Sequence, residues 1–132
     1  MCYILYGAVD KSINPDDYEN ATKNSPYRFN IGTKHDVKMC AVNDSYEFTV
    51  TGRCCDCDFP VGEKDANADE LKELALLIDK LKSSRGAKCL YISKTWAGTR
   101  NKSEKTVNIA EIDVIPFLAT MDKDCLYRID FT

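Results

Sequence analysis

The sequence predicts an α+β fold, a single domain spanning residues 1–132 and built on a mixed β-sheet of five to six strands with one long and two short helices. Three observations predict it. Several segments alternate apolar and polar residues with the period of two that marks a half-buried strand. One stretch, NADELKELALLIDKLKSSRG, carries its apolar residues at helical spacing. Strand and helix signals follow one another along the whole chain, with no linker, repeat or low-complexity segment between them.

The first strand is read in CYILYGAV, apolar enough to be covered on both faces. In NPDDYENA a short helix starts: Asn14 can cap it, Pro15 falls at the first helical position, and Asp16 and Asp17 suit the positive end of the helix dipole. VKMCAV is a short strand candidate, and the Asn43-Asp44 turn after it suggests a hairpin into the next strand. There Tyr46, Phe48 and Val50 face one way and Glu47, Thr49 and Thr51 the other. The long helix follows, with Asn67 as its cap, Glu70 at the capping-box position and Gly86 as its stop. Leu71, Leu74, Ala75, Ile78 and Leu81 form its apolar stripe, so it should lie on the sheet.

AKCLYISKTW reads as a second central strand. The polar AGTRNKSEKT, between Trp96 and Val107, reads as a loop joining two antiparallel strands. In DVIPFLATM, Asp113 can cap a short helix that tolerates Pro116 in its first turn. Cys125, Tyr127, Ile129 and Phe131 then alternate with Leu126, Arg128 and Asp130 in a last strand. The first six of these elements follow the βαββαβ order of a ferredoxin-like core, a resemblance of order that implies no function.

Composition narrows the functional classes. Hydrophobic residues make up 44% of the chain and charged residues 30%, the balance of a globular domain able to bury its own core. A net charge of -3 gives no general pull towards nucleic acid or an anionic membrane. The N-terminal apolar run lacks a basic leader and is too short to span a bilayer, so the expected location is the cytoplasm. An odd count of 7 cysteines in that reducing compartment argues against a disulfide framework.

Chemistry concentrates in one place. In GRCCDCDFPVG, Cys54, Cys55 and Cys57 interleave with Asp56 and Asp58. The C-x-x-C and C-x-C spacings can both turn sulfurs to one side and hold zinc or iron. A structural zinc site takes four ligands, and the other thiols and imidazole (Cys2, Cys40, Cys89, Cys125 and His35) each stand alone in their segments. A redox pair would want a helix N-terminus directly after it, whereas Pro60 and Gly62 intervene and Asp56 and Asp58 oppose a thiolate. A strand-to-helix loop with partly buried thiols is the third reading. The D-x-D here is no calcium loop, since Val61 and Asn67 stand where glycine and glutamate are required.

Elsewhere the signals are thin. His35, beside Asp36, has no nucleophile tied to it, and no serine-hydrolase or phosphate-binding glycine motif occurs. The basic stretch with Lys94, Arg100, Lys102, Lys105 and Trp96 reads as a solvated loop tip whose tryptophan anchors a strand end. With no catalytic constellation assembled, the expectation is a small binding or interaction module that is not an enzyme. Its partner would be a protein or small ligand rather than nucleic acid or membrane, and a homodimer stays open. The alternative is a thiol-redox or metal-binding protein using the Cys54-Cys55-Asp56-Cys57 loop.

Overall fold

The computed structural model describes residues 3–23, 27–30, 45–50, 57, 59–96 and 101–132. In chain order the elements are β1 (Tyr3–Asp10), α1 (Pro15–Thr22), β2 (Tyr27–Asn30), β3 (Ser45–Val50), α2 (Asp69–Lys82), β4 (Cys89–Trp96), β5 (Ser103–Asn108), α3 (Val114–Ala119) and β6 (Cys125–Asp130), with a 3-10 turn at Ile109–Glu111 before α3. The strands form one mixed sheet ordered β2-β3-β1-β4-β6-β5. All neighbours run antiparallel except β5 and β6, which are parallel. β1 therefore lies between β3 and β4, and β3 between β1 and β2, so the units β1-α1-β2 and β3-α2-β4 are each split by a strand of the other.

The predicted α+β class holds, and the period-two pattern explains why. Leu5 and Val9 of β1, Leu90 and Ile92 of β4, and Cys125, Tyr127 and Ile129 of β6 turn to one face and join a single core. α2 packs against both α1 and α3, so the helices form one layer over that face. Of its stripe, Leu71, Leu74, Ile78 and Leu81 are buried as read, Ala75 is half-buried, and Leu77 joins them. Each such leucine or isoleucine contributes about 1.5–3 kcal/mol of apolar burial. α1 starts as read, with the Asn14 side chain accepting from the Asp16 and Asp17 amides.

Four local expectations need correction or relocation. α2 is capped one residue later than read: Ala68 is the N-cap, with no side-chain bond, while the Asn67 amide is bound by the Asp65 carboxylate. Asp113 is the N-cap of α3 but makes no side-chain capping bond. The polar stretch after Trp96 does connect two strands of opposite direction, but from Ser103 it is itself strand β5, and the two do not pair: β5 lies at the sheet edge, parallel to β6, which is inserted between β4 and β5. The physical reason lies in composition. β6 carries the apolar alternation that a central strand needs, while the polar β5 suits an edge where four of its six residues are exposed. Finally, the strand paired with β3 on the side away from β1 is Tyr27–Asn30, a four-residue segment to which the sequence reading assigned no strand, and VKMCAV lies outside the described residues.

Candidate functional site

β4 places a lysine where its pattern calls for an apolar residue. Leu90, Ile92 and Lys94 share the helix-facing side, and Lys94 is only 1% exposed. A buried ammonium is costly unless it is bonded and paired. Lys94 Nζ lies 2.7 Å from the Phe59 carbonyl oxygen, 3.1 Å from that of Val61, 3.2 Å from that of Cys57 and 2.9 Å from Glu63 Oε1. Its three N–H bonds are thus shared among four oxygens that converge on it. Glu63 is bridged a second time, by Lys123 at 2.7 Å. The hydrogen bonds from Lys123 and then Lys94 hold its carboxyl below the usual range, against the smaller upward push of burial.

The segment that supplies these oxygens has no helix or strand of its own among its described residues, so its shape comes from what it docks against. Phe59 and Val61 are buried in the core. The Gly62 amide donates to the Leu118 carbonyl at 2.8 Å and the Lys64 amide to the Ala119 carbonyl at 2.7 Å, tying the loop to the last turn of α3. Gly62 is required here: its φ is +75°, and a Cβ would sit 2.8 Å from the Met121 carbonyl oxygen.

Cys57 is held facing outward at the rim of this clamp. It is exposed, and its Sγ accepts the Tyr3 amide at 3.2 Å. The Tyr3 ring meets Trp96 edge-on at 5.1 Å and carries the Lys123 ammonium 5.2 Å from its centroid. Asp124, at φ +59°, closes the corner by accepting the Trp96 amide at 2.9 Å. One end of the sheet therefore gathers a thiol, two aromatic rings, an exposed-side ion pair and a buried ammonium around one loop.

Of the residues singled out from sequence, Cys57 belongs to this cluster, while Cys54, Cys55, Asp56, Asp58, His35, Cys2 and Cys40 lie outside the described residues. Cys89 and Cys125 are buried strand thiols, and burial pushes the Cys89 thiol up, away from thiolate character. Among the described residues no group of three His, Cys, Asp or Glu side chains is placed to hold a metal. The basic stretch is not one surface: Lys94 is internal, and Lys105 pairs with Asp122 at 2.7 Å. Sequence reasoning missed Glu63, Lys123, Tyr3 and Asp124 as members of the cluster. The available signal was the inward parity of Lys94, which demands acceptors from some other segment. No helix among the described residues is long and apolar enough to cross a membrane. No family model, curated protein or solved structure matches the chain.

Proposed function

We propose that this chain is a binding or interaction module with no assembled catalytic site, and that its recognition surface is the rim around Cys57, Tyr3, Trp96 and Lys123. The observation that carries the reading is the Lys94 clamp, which fixes an otherwise irregular loop and so presents that rim preorganised. Under this reading the protein works in the reducing cytoplasm, as a monomer or homodimer, on a protein or small-ligand partner. The test is in-cell photocrosslinking from Asp122, an exposed neighbour of Lys123, with exposed Leu76 of α2 as the control position. Discrete adducts from Asp122 and none from Leu76 are expected. No adducts, or the same set from both positions, would remove the rim as the recognition surface.

A second reading has its own observation. Cys57 is exposed, and its sulfur is held in place by the Tyr3 amide at 3.2 Å, open to an oxidant or a metal ion from solvent. Cys54, Cys55 and Cys57 would then act as a redox group or as ligands of zinc or iron. Elemental analysis of protein purified anaerobically without an affinity tag, with thiol titration alongside, separates the two readings. Near-stoichiometric metal that disappears when all three cysteines become serine supports the second. Absence of metal together with ordinary thiol reactivity leaves the first.

A further inference from the structure

The sheet face away from the helices carries an opposed pair of charges that do not meet. Cross-strand register puts Tyr91 opposite Arg128 and Arg128 opposite Thr106, with Leu126 opposite Glu104 one row along. These residues, with Lys105, line a cavity of about 190 Å³. Leu126, only 6% exposed, is the apolar residue buried beneath it, and Tyr91, Arg128, Glu104 and Thr106 surround it on the same sheet face. Arg128 is drawn to one side: its guanidinium carbon sits 5.9 Å from the centroid of Tyr91 and its Nε donates to Asp130 at 2.7 Å. Among the described residues Glu104 makes no ion pair, although it shares the cavity with Arg128. The Thr106 hydroxyl likewise has no hydrogen bond among the described residues.

We propose that this cavity is a binding site for a small zwitterion, an α-amino acid with an aliphatic side chain. A lone anion would meet Glu104, and a lone cation would meet Arg128. A ligand with both charges answers both groups: its carboxylate takes the Arg128 guanidinium and the Thr106 hydroxyl, and its ammonium takes Glu104. Glu104 and Thr106 point to the same face two residues apart on β5, a separation of roughly 6.6 Å. Both side chains can therefore reach one small ligand lying over that face. The aliphatic side chain lies on Leu126 against the Tyr91 ring. The volume is below the ~300–1,000 Å³ of pockets for drug-sized ligands, which fits an occupant of this size. The site lies apart from the Cys57 rim and stands or falls without it.

The test is amide chemical-shift mapping of the full chain titrated with L-leucine, L-leucinamide and N-acetyl-L-leucine. The expected result is saturable shifts from L-leucine confined to β4, β5 and β6. Blocking either charge should weaken binding about tenfold or more, as should Glu104→Gln or Arg128→Gln. Both positions are on the surface, and an unchanged spectrum elsewhere will show that the variants are folded. No saturable shift up to the solubility of L-leucine overturns the proposal. So does equal binding of a blocked derivative, undiminished binding by either variant, or a shift pattern centred on another part of the molecule.

Discussion

Replacing Lys94 with methionine tests the centre of the architecture. Methionine keeps most of the volume and apolar stem, so the cavity and transfer contributions are small and the loss is electrostatic. The change strips the ammonium from the carbonyls of Phe59 and Val61, which belong to residues 2% and 0% exposed. Losing that donor costs about 1–2 kcal/mol at each buried carbonyl. Cys57 is exposed, so its carbonyl can turn to water. Glu63 keeps Lys123 and is 36% exposed, so losing one of its two partners adds at most about 1 kcal/mol. The sum is about 2–5 kcal/mol, a large share of the roughly 5–15 kcal/mol that holds a domain together. For a chain of this length it lowers Tm by roughly 7–18 °C. Glu63→Gln leaves the carbonyl contacts in place and should cost about 1 kcal/mol or less. Equilibrium urea unfolding followed by circular dichroism, with calorimetry for Tm, measures both. A Lys94→Met variant within about 1 kcal/mol of the parent would refute the reasoning, because the converging oxygens would then be indifferent to the ammonium.

Other perturbations test the remaining parts. Burial pushes the Asp10 carboxyl up, but the Ser12 hydroxyl and the Cys89 and Lys88 amides outweigh it, and Glu63 is held low by Lys123 and Lys94. Carboxyls with depressed folded-state values contribute stability that is present above their unfolded values and lost as pH falls through the folded ones. Stability should therefore drop steeply below about pH 4, and Asp10→Asn should flatten that acid limb in a pH series of urea midpoints. Gly62→Ala should cost about 1–3 kcal/mol, from a φ of +75° and a Cβ 2.8 Å from the Met121 oxygen, and an unchanged urea midpoint would contradict the loop geometry. Asn14→Ala removes the acceptor for two α1 amides and should cost about 1 kcal/mol in the same assay. Serine at Cys54, Cys55 and Cys57 together should leave stability and oligomeric state nearly unchanged if these cysteines carry no metal, whereas loss of a bound metal would remove several kcal/mol.

Elements whose residues repeat an apolar face were legible from the chain alone. β1, β4, β6 and α2 each repeat it over at least six residues, and each lies where its pattern put it. β2 was not legible, because Tyr27-Arg28-Phe29-Asn30 holds only two apolar-polar repeats, too few for periodicity to stand out from chance. The placement of β5 was not legible for a different reason. Local pattern says that a segment is polar; it does not say that a later, more apolar strand will displace it from its sequence neighbour and leave it at the edge. The capping error at α2 has a local cause as well. Asp65 binds the Asn67 amide in a turn of its own, and the helix begins only after that turn is complete.

The cluster was half legible, and its halves differ in kind. Cys57 stood out because cysteines crowd that stretch of sequence. Lys94 stood equally open to view as a charge among Leu90, Ile92 and Trp96, on a face that the alternation sends to the core. Counting it with the surface cations set aside what its parity implied. A lysine at an inward position of a central strand must be met by several acceptors, and no strand neighbour can supply them, because the ladder engages their backbone groups. The acceptors must come from irregular backbone, and a stretch punctuated by Pro60 and Gly62 has carbonyls to offer. An inward charge in a strand and a proline-glycine loop elsewhere can thus be read as two halves of one clamp, which makes a buried lysine a pointer to the loop it organises.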